Sequence, residues 1–139
     1  MPIHLLWGDD EAARSRAVES LIQHHTDPAW QSINLTRLDG SDAAQAAQAL
    51  EEARTAPFGA GDRVVVLQRS PFCNQCPAEL SEELEATLPL IPTSCQLLLV
   101  NAGKPDARLR TTKALQKLIK AGEAKEQSFP LPAIWDGAG

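Results

Sequence analysis

Ile3-His4-Leu5-Leu6-Trp7-Gly8-Asp9-Asp10-Glu11-Ala12-Ala13 is the stretch that decides the fold. Its first half is an apolar run of strand length stopped by a glycine, which predicts a strand buried on both faces. Its second half offers Asp9 or Asp10 as an N-cap, and Val18, Leu21, Ile22 and His25 then fall at i, i+3, i+4 and i+7, so a helix follows to about His25. Thr26, Asp27 and Pro28 break it, because proline cannot continue a helix and restricts the residue before it. Working outward, a second strand is expected from Ser32 to Leu38. A second helix, capped by Ser41 or Asp42, presents Ala43, Ala46, Ala47, Leu50 and Ala53 as a narrow face and stops before Pro57. Arg63 to Leu67 and Leu97 to Val100 read as central strands, separated by a helix from Glu79 to Leu90 with Leu80, Leu84 and Leu88 on one side. A last helix covers Arg110 to Lys120, with Leu115, Leu118 and Ile119 inward and Gly122 as its stop, and a weak strand runs from Ala124 to Phe129. Such alternation implies crossover connections. The expected fold is α/β, a three-layer, five-stranded parallel sheet with helices on both faces.

Length and composition set the limits around that core. The 139 residues, 43% hydrophobic and 22% charged, fit one globular domain and lie far from the composition of a disordered chain. The longest apolar runs, Val64 to Leu67 and Leu97 to Val100, are much shorter than the ~20 residues of a membrane helix. No secretory signal precedes Ile3, and three cysteines agree with a reducing compartment, so a cytoplasmic location is expected. A net charge of −5 argues against this domain holding nucleic acid by itself, which takes clustered Lys and Arg. Only Arg108, Arg110, Lys113, Lys117 and Lys120 form a basic stretch, read as a solvated helix face or as a contact with nucleic acid or an acidic partner. Residues 1–130 are expected to form the domain. The segment 131–139, with Leu131 to Trp135, reads as a linker or the start of a following domain, and the natural protein is expected to continue.

The loops after the strands carry little chemistry. A phosphate-binding loop needs G-x-x-x-x-G-K-[ST], and Gly8-Asp9-Asp10-Glu11-Ala12-Ala13 has no second glycine, no lysine and three carboxylates that repel phosphate. The strand from Arg63 ends in Gln68, Arg69 and Ser70, without the acidic residue that would hold magnesium. Asp9 and Asp10, with Lys104 and Pro105 later, resemble the acidic pocket of response-regulator receiver domains, the alternative function. The phosphate-accepting position is then Gln68, whose amide cannot form an acyl phosphate. Cys73 and Cys76 make a C-x-x-C that could be half a zinc site or a redox pair, yet Cys95 is the only other cysteine and no histidine lies near it. His4, His24 and His25 have no companion nucleophile at informative spacing. In Thr55-Ala56-Pro57-Phe58-Gly59-Ala60-Gly61-Asp62-Arg63 a large aromatic sits between proline and glycine ahead of a strand, either as a lid on the core or as an anchor for a partner.

Trp7-Gly8-Asp9 after the first strand, Leu38-Asp39-Gly40 after the second, and Thr55 to Phe58, Gly59 and Arg63 before a valine-rich strand make the chain resemble the delta subunit of bacterial DNA polymerase III, over Ile3 to Trp135. Phe129, Leu131 and Trp135 match where that family passes into its second domain. The resemblance implies a degenerate AAA+-like fold without ATP binding or any cofactor, acting with the beta sliding clamp and with the gamma/tau and delta prime subunits, and meeting DNA only within that assembly. It further implies that a hydrophobic pair at the tip of the helix before the valine-rich strand wedges into the clamp. Phe58 matches the aromatic of that pair, Pro57 stands where an apolar residue often sits, and Ala56 and Thr55 complete the segment. Cys73 and Cys76 match no motif of the family.

Overall fold

The structure, a computed structural model, describes residues 2–131. Five strands, β1 (Ile3–Trp7), β2 (Leu35–Asp39), β3 (Arg63–Gln68), β4 (Cys95–Asn101) and β5 (Ala124–Ser128), form one sheet in the order β2-β3-β4-β1-β5. Every pairing is parallel, with Ile3 opposite both Leu97 and Ala124, so β1 lies inside the sheet between β4 and β5, and Ile3 to Leu6 are buried. The helices are α1 (Glu11–His25), α2 (Gln31–Asn34), α3 (Ala43–Ala53), α4 (Ala78–Thr87) and α5 (Arg110–Lys120), with a single 3-10 turn at Leu88–Leu90.

Side-chain alternation along the strands sorts the core into two layers. Leu6, Val64, Val66, Leu98 and Val100 face α1, which inserts Val18 and Ile22. Ile3, Leu5, Val65, Leu67, Leu97 and Leu99 face the other way, against Leu50 of α3, Leu84 of α4 and Leu115 of α5. Helices therefore lie on both faces of a five-stranded parallel sheet, as expected. Asp10 caps α1 by accepting from the Ala13 amide, and Asp42 caps α3 by accepting from the Ala44 amide.

Two expectations need correction. Ser32 to Asn34 are helical rather than extended: the carbonyl of Trp30 accepts from the Ile33 and Asn34 amides, and β2 starts only at Leu35. Ala43 is exposed, and Ala46, Ala49, Leu50 and Ala53 form the buried face of α3. The receiver alternative also fails on topology. Flavodoxin-like receivers place β1 between β2 and β3, in the order 2-1-3-4-5, whereas here β1 lies between β4 and β5. The expected element at Leu131 to Trp135 and the segment 132–139 lie outside the described residues, apart from Leu131, which is exposed.

Candidate functional site

A parallel sheet has two unlike rims, and ligands of such sheets usually bind at the carboxyl ends of the strands. On this rim the first loop is filled by the protein's own backbone. The Phe129 amide donates to the Trp7 carbonyl at 2.8 Å, and the Phe129 carbonyl accepts from the Asp10 amide at 2.9 Å. Gly8 (φ +141°) lies under that segment so closely that a Cβ would stand 2.2 Å from the Phe129 carbonyl oxygen. The Arg14 guanidinium donates to the Gly8 carbonyl. Two of the amides at the start of α1 that could have cradled an anion are thus engaged, by Phe129 and by the Asp10 cap.

Beyond it, a cleft of about 670 Å³ opens between Gly40, Arg69, Asn74, Asn101 and Lys104. Arg69 is not free there, because it makes a two-pronged pair with Asp39 at 3.0 and 2.6 Å. That guanidinium, helped by the amide and hydroxyl of Ser41, holds the Asp39 carboxyl well below the usual carboxylate range. Asp9 is exposed and Asp10 is spent as a cap. Among the described residues no group of three or more His, Cys, Asp and Glu side chains could hold a metal ion.

The C-x-x-C lies largely inside the fold. Cys73 and Cys95 are buried and Cys76 half-buried, all as free thiols. Burial pushes Cys73 up to about 11 and Cys95 up to about 12, and raises Cys76, to which the Ser81 hydroxyl donates at 3.3 Å. Thiols held protonated in this way are poor nucleophiles and poor metal ligands.

The opposite rim carries an exposed loop. The chain leaves α3 at Ala53 and enters β3 at Arg63, and between them Thr55 and Ala56 are exposed, Pro57 is half-buried and Phe58 is 56% exposed. Phe58 lies in this loop, past the end of α3, and not at the helix tip, because the chain turns out of the helix at Arg54 and Thr55. Phe58 is therefore not one of the buried core residues. The loop has a rigid stem. Arg63, itself buried, pairs with Glu52 at 3.0 Å, and the Asp62 amide donates to the His25 carbonyl at 2.7 Å. Asn34, fully buried at the end of α2, holds Phe58 by both backbone groups: Nδ2 donates to the Phe58 carbonyl and Oδ1 accepts from the Phe58 amide, each at 2.8 Å. Gly59 (φ +64°) rests on the indole of Trp30, where a Cβ would come within 2.1 Å of the ring.

Trp30 and Ile33, which share the α2 turn, are exposed large hydrophobics as well, at 38% and 51%. Ile33 and Asn34 fall inside the stretch from Ser32 to Leu38 that reads as a strand, and Trp30 lies just before it. The one signal legible in the sequence is Trp30, one of three tryptophans, four residues before Asn34.

A family model described as DNA polymerase III, delta subunit, matches residues 4–125. The chain belongs to this family. No curated protein sequence matches it. Among solved structures, the Bacillus subtilis DNA clamp loader delta protein superposes with a TM-score of 0.70 at 22% identity, over 94% of this chain and 38% of that one. That likeness is one of fold, and the chain spans well under half of that protein's length. A looser match, to a structure of Drosophila ORC bound to DNA, has a TM-score of 0.44 at 15% identity over 99% of this chain and 27% of the other, and carries no weight. In this delta-family chain the basic residues Lys113, Lys117 and Lys120 lie exposed along one side of α5, Arg108 pairs with Asp106 and Arg110 with Glu85. No helix among the described residues is long and apolar enough to cross a membrane.

Proposed function

We propose that this domain grips the beta sliding clamp of the bacterial replicase through Phe58, as part of a clamp loader, and that it neither binds nor hydrolyses ATP. The observation that carries the reading is a large aromatic residue more than half exposed on a loop whose backbone is held on both sides, by Asn34 and by the Trp30 ring. An exposed aromatic on a preset loop has the character of an interface anchor, since little ordering remains to oppose its burial against a partner. Pro57, Ala56 and Thr55 are proposed to line the approach. Membership of the delta family supplies the identity of the partner, and the filled loop at Gly8 supports the lack of a nucleotide site. Contacts with the gamma/tau and delta prime subunits are assigned to the longer protein, and contact with DNA to the assembly. The proposed location is the cytoplasm.

A pull-down of purified beta sliding clamp on the immobilised chain, with and without ATP, tests this reading. The clamp is expected to be retained equally in both. Retention only with ATP, or none at all, would refute it.

A further inference from the structure

We infer that Asn34 is the positioning residue for the Phe58 anchor, and that the α2 turn is the cradle that presets the anchor loop before any partner arrives. The inference rests on the reading of Phe58 as the clamp anchor. The ties at the ends of the loop are the Arg54 and Thr55 amides on the Glu51 and Glu52 carbonyls, and the Thr26 to Gly61 bridge with the Asp62 amide on His25. Between them, Phe58 is fixed by the Asn34 amide, which satisfies its N–H and its C=O together. Only one orientation of an Asn side chain meets that pair of partners, so the contact specifies position as well as strength. The Trp30 ring under Gly59 closes the other side.

Asn34 has no exposed surface, so it cannot touch a docking protein. Any effect it has on docking must pass through the loop. Freeing one residue's backbone and ordering it again on binding is worth about five- to thirtyfold in an equilibrium constant, and a loop that visits its competent shape only part of the time binds more slowly in proportion.

The test is a cycle read by surface plasmon resonance on the beta sliding clamp, with Asn34→Ala, Phe58→Ala and the double variant, and urea unfolding of each. Asn34→Ala is expected to weaken binding about five- to thirtyfold, mainly through slower association. The double variant should bind no more weakly than Phe58→Ala, because Asn34 acts only through that ring. Gly59→Ala disturbs the same loop from the surface and should reproduce the loss. If Asn34→Ala fails to fold, the Gly59→Ala result decides. A loss with Phe58→Ala but wild-type binding by Asn34→Ala and Gly59→Ala, or additive losses in the double variant, overturns the inference and leaves the anchor standing. Unchanged binding by Phe58→Ala removes the anchor itself, and the inference with it.

Discussion

Asn34 holds the Phe58 backbone by both its N–H and its C=O, and the Trp30 ring lies under Gly59. An aromatic between proline and glycine can lid a core or anchor a partner, and what lies beneath its loop decides which. What lies beneath is Asn34 and Trp30, more than twenty positions upstream. His4 reads in the sequence as a residue that fills the surface or the core. In the fold it is buried, and since Gln96 gives its amide hydrogen to Asp62, its oxygen faces His4 and takes the Nε2 proton at 2.8 Å. Burial lowers the His4 pKa, the Gln96 bond opposes this, and the nearby His25 and Lys125 charges lower it further. The folded chain thus resists a proton that the unfolded chain accepts near its ordinary value of about 6.5, so stability is lost as pH falls through that value and recovered as pH rises. Urea midpoints should fall between about pH 7.5 and about pH 5.5, and His4→Gln should flatten that dependence. An unchanged slope in the variant would assign the acid sensitivity to other groups.

At the scale of elements, long periodic segments were readable and short ones were not. The helices α1, α3 and α5 lie where their apolar spacing put them, because a stripe several turns long has only one stable way to be buried. The four residues of α2 cannot register a helical period, and Ser32-Ile33-Asn34-Leu35 alternates polar and apolar like a strand. The hydrogen bonds to Trp30 and the burial of Asn34 override that local pattern. The stem joining α3 to β3 gives a second prediction. Arg63 is buried against Glu52, which also accepts from the Thr36 hydroxyl, so Glu52→Ala strands a buried guanidinium and should cost about 1.5–3 kcal/mol in urea unfolding. A loss within experimental error would show that water replaces the carboxylate. The basic side of α5 was legible as a charge pattern. With a net charge of −5 behind it, duplex DNA binding by this chain is expected to be weak at ~150 mM salt, and a nanomolar dissociation constant in a titration at that salt would contradict this.

Across the whole molecule the two rims of the sheet are unlike. Alternating strands and helices foretold a parallel sheet, but not that β1 would sit between β4 and β5, since strand order depends on packing between elements distant in sequence. The general rule for ligands of such sheets directs attention to the carboxyl rim, where Phe129 fills the first loop and Arg69 is tied to Asp39. The exposed aromatic lies on the opposite rim, between α3 and β3, where no strand-end rule points and only the pattern shared with the delta family marks it. Titration calorimetry with ATP and magnesium should show no binding, and micromolar affinity would mean that the Phe129 segment gives way. The central claim, that Phe58 anchors the clamp, is tested most directly by measuring the clamp affinity and the urea stability of Phe58→Ala on the same protein. A truncated aromatic anchor at an interface costs about 2–4 kcal/mol, so affinity should drop roughly thirtyfold to several hundredfold while stability stays nearly unchanged. Unchanged clamp affinity, with or without a loss of stability, would contradict the account.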